Sequence, residues 1–501
     1  MKLVDLLQGV PIRSVHAEHD RDLTVVTADS RFAVKDALFV AIPGTQRDGA
    51  AFIPEAMQRG CAAVVGVSRA REVVDAQPGS ERVAFIEVDD PREALARISA
   101  NLHGQPAKKL SLVGVTGTSG KTTTTRMLEA IFDAGREPVG LIGTIEYRAG
   151  AERLVADRTT PDATVLQEWF AKMVKAGVRH AVMEVSSHAL ALKRTHGIDF
   201  AAAVFTNLSR EHFDFHRDFE DYFAAKKMLF DQIDRSRQTA VLNVDDTYGK
   251  RLVDELGSTA LTFGKESGAD IHPLPGFEIS VDGLHGSVAT PLGEVRMDSL
   301  LLGLPNLYNW LAAIGAAVVV GIPREQIEAG VRDLQSVRGR FERIVVPDVE
   351  SAPTVIVDYA HKPDALDKLL RAVREIAGER RICIVFGCGG DRDRGKRAEM
   401  GEIAARLADE VIVTSDNPRS EDPQSIIDQI VTGVGGARCF TTPDRREAIE
   451  RAISLAQPDD VIVIAGKGHE TYQVIGDEVV HFDDREEAEV VLRNRASKQG
   501  R

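Results

Sequence analysis

Cysteine is scarce in this 501-residue chain. Its four cysteines, Cys61, Cys383, Cys388 and Cys439, form no CxxC pair and no secreted-type framework. That excludes a disulfide scaffold and predicts buried free thiols in a reducing cytoplasm. Positive charge is also in deficit: 62 Lys and Arg against 76 Asp and Glu leave a formal net charge of -14. Nucleic-acid backbones demand a basic face, so nucleic acid is not an expected partner. A soluble monomer kept dispersed by like charge is. No apolar stretch reaches the ~18–20 residues of a membrane helix. The run Leu311 to Gly321 is too short, predicts a buried helix, and leaves no expectation of membrane insertion. The opening MKLVDLLQGV lacks the basic segment and long apolar run of a signal peptide, so a cytoplasmic location is expected. Internal repeats and low-complexity tracts are missing as well.

What is present is the composition of a globular protein, 43% hydrophobic and 28% charged. The length exceeds one ordinary core and predicts several domains. Up to residue 105, short apolar runs alternate with turns: strands over 38–42 and 62–67 flank a helix over 52–59. His103-Gly104-Gln105-Pro106 reads as a linker. A second α/β unit opens with an apolar strand over 110–116 and a helix over 122–134. It continues with strands over 181–185, 202–206 and 239–243, the pattern of a mostly parallel, helix-covered sheet. Past Arg338-Gly339-Arg340, strands over 354–358, 382–386, 410–414 and 460–464 predict a Rossmann-like doubly wound domain. Residues 496–501 read as a frayed tail. The expected fold is thus α/β in three domains, at 1–105, 106–336 and 337–501.

The strongest local signal is Gly117-Thr118-Ser119-Gly120-Lys121-Thr122-Thr123, between an apolar strand and a helix. Glycines let backbone N–H groups converge on phosphate oxygens, and the helix N-terminus adds its dipole. Lys121 then reaches the outer phosphates of ATP, and the Thr122 hydroxyl suits Mg²⁺. The match is not strict, because Val115 stands where the first Gly of a P-loop would be. Motor, switch, kinase and ligase chemistry all remain open on this motif alone.

Two further segments place acids and imidazoles at strand ends, the ligand side of a doubly wound sheet. Glu184, in Glu184-Val185-Ser186-Ser187-His188, is a carboxylate suited to Mg²⁺. His212 lies in a loop with Glu211, Asp214 and His216, and that crowding marks it as functional. Lys226 sits in a predicted helix and, taken alone, reads as part of a solvated helix face.

Together these blocks resemble the Mur ligase family, the ATP-dependent amino-acid-adding enzymes of peptidoglycan synthesis. The resemblance is carried by the phosphate loop, Glu184 to His188, Thr206-Asn207-Leu208, Asn243-Val244-Asp245-Asp246, Pro305 to Asn309, Gly339-Arg340-Phe341-Glu342 and Asp358-Tyr359-Ala360-His361. Asp29-Ser30-Arg31, Phe386 to Asp393, Asp416-Asn417-Pro418-Arg419 and Gly466-Lys467-Gly468-His469-Glu470 are similar to the branch that adds meso-2,6-diaminopimelate to UDP-N-acetylmuramoyl-L-alanyl-D-glutamate. Arg419 fits that branch chemically, since diaminopimelate differs from lysine by one carboxylate that a guanidinium grips in bidentate fashion.

The resemblance implies amide formation through an acyl phosphate, with release of ADP and phosphate. Lys121, Glu184, His212 and Lys226 are then catalytic. ATP is held by Gly117 to Thr123 with Asn306, Arg340 and Asp358, and Mg²⁺ by Thr122, Glu184, His212 and a carbamylated Lys226. Ser30, Thr45, Gln46, Arg47, Thr159, Thr160, Ser187 and Arg194 take the UDP-substrate. Arg392, Asp416, Asn417, Pro418, Arg419, Gly466 and Glu470 take diaminopimelate. Arg158, Leu192 and Arg338 depart from the family pattern. Two rivals remain: folylpolyglutamate synthase, a relative with the same core, and a P-loop switch or transport ATPase. The Asp416 to Arg419 and Ser30 blocks count against the first, and an amino-acid pocket against the second.

Overall fold

Runs of Val, Ile, Leu and Ala buried on both faces build three mainly parallel sheets, the arrangement such runs favour when helices cover them. The computed structural model describes residues 1–16, 20–44, 48–347 and 352–499. The first sheet runs in the order Ser14–His16, Ala84–Glu87, Ala63–Gly66, Ala37–Val40, Val25–Thr27. Its outer Ser14–His16 pairing is antiparallel and the others are parallel.

The second sheet has eight strands in the order Ala260–Phe263, Ala240–Asn243, Ala202–Phe205, Ser111–Thr116, His180–Glu184, Val139–Ile142, Glu146–Ala149, Glu152–Val155. Six of these are joined by parallel pairings, and an antiparallel meander finishes the edge. The register decides where chemistry can occur. Glu184 pairs with Val115 and Phe205 with Thr116, so three strands end together beside the residue where the glycine-bearing loop begins.

The third sheet runs Glu342–Ile344, Thr354–Asp358, Val461–Ala465, Ile382–Phe386, Glu410–Val413, Cys439–Thr441. Strand side chains alternate between faces, and here each face has its own core. Ile356, Ile384, Val411 and Val463 pack with Leu366, Met400 and Ile426 from the helices Pro363–Ala377, Lys396–Leu407 and Pro423–Val434. Val357, Val385, Ile412 and Ile464 pack with Ile449 and Leu492 from Arg445–Leu455 and Asp484–Gln499. Those last two helices are locked by a fully buried ion pair, Arg445 Nε and Nη2 to the Asp484 carboxylate, both at 2.7 Å. Arg445 also donates to the Ala465 carbonyl at 3.0 Å, fixing the end of the Val461–Ala465 strand.

The chain divides into two compact units. One holds residues 1–264, 269–271 and 312–327, and so both the 1–105 and most of the 106–336 expectation. The other holds 265–268, 272–311 and 328–501.

Several sequence expectations change. Residues 272–299 form a small antiparallel sheet that the strand–helix alternation gave no place to. The expected frayed tail is helical through Gln499, because Asp484–Gln499 is anchored by Asp484, Ala488 and Leu492, all buried. The 52–59 helix is shorter, Ile53–Gln58, after a 3-10 turn. The Leu311 to Gly321 run lies, as far as Val319, in the longer helix Gly303–Val319, with Leu311 through Ala317 almost wholly buried. Among the described residues no helix is long and apolar enough to cross a membrane. All four cysteines are free thiols; burial pushes Cys61 up to about 11 and Cys383 up to about 12.

Candidate active site

Gly117 starts the loop with φ +147°, a region that only glycine adopts without strain. A Cβ there would lie 1.9 Å from Thr206 Oγ1. The loop is braced from the neighbouring strand end: Thr206 Oγ1 donates to the Ser119 carbonyl (2.7 Å), and Asn207 Oδ1 accepts from the Ser119 N–H (3.0 Å). Thr118 N–H donates to the Asn207 carbonyl at 2.9 Å. The helix Lys121–Asp133 follows, with Gly120 at its N-cap and Thr122 to Thr125 buried. Lys121 Nζ donates to the carbonyls of Gly117 and Thr118, both at 2.8 Å. Its ammonium thus lies over the concavity where N–H groups and the helix dipole favour an anion.

Glu184 is the neighbouring node. It is 1% exposed, and its Oε2 accepts from Thr122 Oγ1 (2.9 Å) and Thr144 Oγ1 (3.0 Å). Its Oε1 accepts from the Thr144 N–H at 2.7 Å. Thr144 in turn pairs with Thr159 Oγ1 at 3.0 Å. Thr160 donates to the Glu184 carbonyl at 2.8 Å, and Arg194 Nη1 donates to the Thr160 carbonyl at 2.8 Å. The structure therefore brings Thr122, Thr159, Thr160, Glu184 and Arg194 into one hydrogen-bonded cluster. Thr144 was missed in the sequence, where it is one Thr among many.

Lys226 overturns the solvated-face reading. It lies in the helix Phe219–Lys227 but is 1% exposed. Its Nζ donates to the Gly117 carbonyl at 2.7 Å and sits 4.4 Å from the centre of the Tyr222 ring. Burial, with Lys121 as a nearby like charge, holds its pKa well below the usual lysine range. The Gly117 carbonyl thus accepts from two lysines. Tyr222, one turn earlier, also meets Thr118 Oγ1 at 3.2 Å, an (i, i+4) relation that could have flagged this face.

His212 takes a left-handed backbone, φ +59°. Its ring stands edge-on to His188 at 4.8 Å, and Nε2 lies 3.8 Å from Glu211 Oε2. His216 Nε2 bonds the buried Ser187 Oγ at 2.9 Å. Among the described residues no group of three or more His, Cys, Asp or Glu side chains is arranged as a metal cluster. The fit to Mg²⁺ rests instead on hard oxygen donors, the Thr122 hydroxyl directly bonded to the Glu184 carboxylate. That suits an ion that takes one or two protein ligands and completes its shell with phosphate and water.

Ser30 is buried and donates to Glu55 Oε2 at 2.6 Å. Thr45, Gln46 and Arg47 lie outside the described residues. Arg158, the first departure from the family pattern, pairs with Asp162 at 3.1 Å. Leu192 caps the short helix Ser187–Ala191.

In the second unit the loops that follow Ile382–Phe386, Glu410–Val413 and Val461–Ala465 gather most of the expected acceptor residues. Asn417 Nδ2 donates to Glu470 Oε2 at 3.0 Å. Asp416 and Asn417 are buried, and Gly466 lies 3.5 Å (as a Cβ position) from Asp416 Oδ2. Pro418 is buried beside them, and its carbonyl closes on Gly390 so tightly that a Cβ there would lie 1.9 Å away. Arg419 is held at φ +52°, its N–H donating to the Val474 carbonyl (3.0 Å) and its carbonyl accepting from Gly476 (2.8 Å). A non-glycine residue there is strained, a feature that concentrates at functional sites. Its guanidinium reaches the Gly390 carbonyl at 2.7 Å. Arg392 is exposed on the adjoining loop. Burial and the Asp416 charge raise the Glu470 pKa.

The same unit holds the other expected nucleotide residues. Asp358 accepts from the N–H groups of Phe341 and Ala360, both at 2.8 Å, and burial raises its pKa. The Arg340 guanidinium lies 4.9 Å from the Tyr359 ring centre. Asn306 is buried and donates to the Leu302 carbonyl at 2.9 Å. Arg338, the third departure, donates to the buried Asp483 carboxylate at 2.8 Å, a bond that the usual Pro could not make.

A parallel sheet, a turn that only glycine can make and a helix N-terminus aimed with a lysine at one point define a P-loop-type α/β enzyme that uses ATP. Three family models match the chain: Mur ligase family, catalytic domain at residues 22–103, Mur ligase middle domain at 115–317, and Mur ligase, glutamate ligase domain at 339–468. The chain belongs to the Mur ligase family. It is 47% identical over 499 residues to UDP-N-acetylmuramoyl-L-alanyl-D-glutamate--2,6-diaminopimelate ligase of Thermosynechococcus vestitus, covering 99% of this chain and 98% of the relative. It is 42% identical to the Bacillus cereus protein of the same name, over all of both chains. A solved structure of a ligase of that name superposes with a TM-score of 0.69 at 31% identity, covering 96% of each chain. Mycobacterium tuberculosis folylpolyglutamate synthase, solved with ADP and AMPPCP, shares the fold at a TM-score of 0.58 and 20% identity, with 74% of this chain and 91% of that one covered.

Proposed function

We infer that this chain is an ATP-dependent ligase that adds meso-2,6-diaminopimelate to UDP-N-acetylmuramoyl-L-alanyl-D-glutamate in peptidoglycan precursor synthesis. The observation that carries the reading is the polarity of the acceptor cluster: a buried acid, Asp416, and a half-buried one, Glu470, stand beside Arg419 past the ends of neighbouring strands. An amino acid with an ammonium group and an additional carboxylate matches that pattern, whereas lysine would leave the guanidinium without its counter-ion.

In this reading the D-glutamyl carboxylate attacks the γ-phosphate, ADP leaves, and the acceptor amine displaces phosphate from the acyl phosphate. Two anions must approach each other, so fixed positive charge is the main requirement. Lys121 and the loop N–H groups hold the triphosphate. Thr122 and Glu184 would hold one Mg²⁺, and Glu184, His212 and carbamylated Lys226 a second. When bound, Mg²⁺ neutralises charge between phosphate and carboxylate. Thr159, Thr160, Ser187 and Arg194 would orient the muramoyl-peptide, Ser30 with Thr45, Gln46 and Arg47 the UDP end, and Asn306, Arg340 and Asp358 the nucleotide. Such an enzyme works in the cytoplasm.

Carbamylation of Lys226 fits its surroundings. A neutral amine adds to CO₂ and releases one proton, and the depressed pKa supplies that neutral amine. Lys226→Ala should lower kcat by about 10²–10³-fold, with partial recovery on adding short carboxylic acids. A variant that no carboxylic acid restores argues against a carbamate.

The function itself is tested by phosphate release. Release should require the UDP-muramoyl-dipeptide and rise strongly with diaminopimelate but little with lysine. Acceptor-independent ATP hydrolysis would instead favour a switch or transport ATPase.

A further inference from the structure

Between Gly466 and Glu470 lies a lysine that the motif reading left without a role. Lys467 is fully buried. Its Nζ donates to Asn417 Oδ1 at 3.0 Å and to the Tyr472 carbonyl at 2.7 Å. It also lies 3.4 Å from Asp416 Oδ1 and 3.9 Å from Glu470 Oε2. Its backbone is held by Gly468, whose φ of +52° and close approach to Tyr359 (2.6 Å from a built Cβ to the Tyr359 Cβ) exclude other residues.

These contacts have a directional consequence. Asn417 Oδ1 accepts from Lys467 and from the Val474 N–H (3.0 Å), so its amide nitrogen must face Glu470. Glu470 therefore has one oxygen engaged and one left to a ligand. Asp416 Oδ1 is buried without a hydrogen-bond partner, the state of an acceptor awaiting a donor. Tyr472, which Lys467 grips, opens the hairpin Tyr472–Ile475 and Glu478–His481. That hairpin bonds the backbone of Arg419 on both sides.

We infer that Lys467 is a positioning and specificity-determining residue of the acceptor pocket: it compensates the paired carboxylates of Asp416 and Glu470, orients the Asn417 amide, and ties down the hairpin that carries Arg419. This rests on the diaminopimelate reading of the pocket.

Without the Lys467 ammonium between them, the close carboxylates of Asp416 and Glu470 repel each other with less compensation, which favours a proton on one of them. Burial and Asp416 already push Glu470 upward. The other charges facing the cluster are Arg445 with its partner Asp484, Arg419, and on the Asp416 side Lys396, whose ammonium donates to the His361 carbonyl; His361, Cys388, Tyr359 and Tyr472 add titratable groups. Arg445 is committed to Asp484, so it does not replace Lys467.

The test is Lys467→Met, assayed for all three substrates across about pH 6 to 9. The acceptor KM should rise about 10–100-fold and fall again as pH rises and Glu470 ionises. The native acceptor KM should stay flat, and the KM values for ATP and the UDP-dipeptide should hardly move. If Lys467→Met does not fold, Lys467→Gln carries the same expectation. Lys467→Arg, which keeps the charge, should keep a flat profile. A neutral variant with native acceptor KM, with a pH-independent loss, or with equal losses for all three substrates overturns the proposal. Native protein that ignores diaminopimelate altogether would instead refute the functional reading beneath it.

Discussion

Lys121→Ala is expected to lower kcat by about 10³-fold or more while melting within about 2–4 °C of the native protein. The two halves have different causes. The side chain donates to two loop carbonyls, Gly117 and Thr118, and losing such bonds on a partly exposed loop costs about 1 kcal/mol each at most. The loop keeps its shape, since Thr206 and Asn207 brace it independently. In the proposed turnover, however, the ammonium is the charge assigned to the outer phosphates. Lys226 does not replace it, because it is buried behind the loop and its positive charge is disfavoured there. Stopped-time ligation assays read the first half and thermal melting the second. Melting should also show that ATP no longer stabilises the variant as it does the native chain. Near-native ligation by Lys121→Ala would sink the loop assignment.

Arg419→Ala should cut kcat/KM for diaminopimelate about 10²–10³-fold, the loss of a charge-assisted bidentate contact, and leave kcat/KM for lysine nearly unchanged. The backbone argument makes this substitution clean. Arg419 is already a Cβ-bearing residue at φ +52°, so alanine pays no new conformational strain, and the bonds to Val474 and Gly476 use the main chain. Competition between the two acceptors measures the ratio directly. A variant that still prefers diaminopimelate would move the selectivity elsewhere in the pocket.

The parts legible in sequence were those written in one stretch of chain. Apolar runs such as Ile382–Phe386 and Val461–Ala465 declare buried parallel strands because both faces are covered. The phosphate loop declares itself because glycines, lysine and helix start are contiguous. The antiparallel strand Gly293–Ser299 was harder: its buried positions are Val295, Met297 and Ser299, a period-2 signal too thin to separate from loop. Lys226 and Lys467 were opaque for a stronger reason. A lysine is ordinarily solvated; for Lys226 only the (i, i+4) neighbour Tyr222 hinted otherwise, and nothing nearby states that Gly117, or Asp416 for Lys467, will close over it. Only the family resemblance raised Lys226, and the same resemblance left Lys467 silent.

The bracing of the phosphate loop also sets an order of events during folding. Ser119 is held by Thr206 and Asn207, 87 and 88 residues further along the chain. Contacts of such separation form only after a large loop of chain has been closed. The glycine-rich segment therefore gains its bracing only when the Ala202–Phe205 strand docks beside Ser111–Thr116. A chain that ends before that strand carries the whole motif without the two residues that hold Ser119.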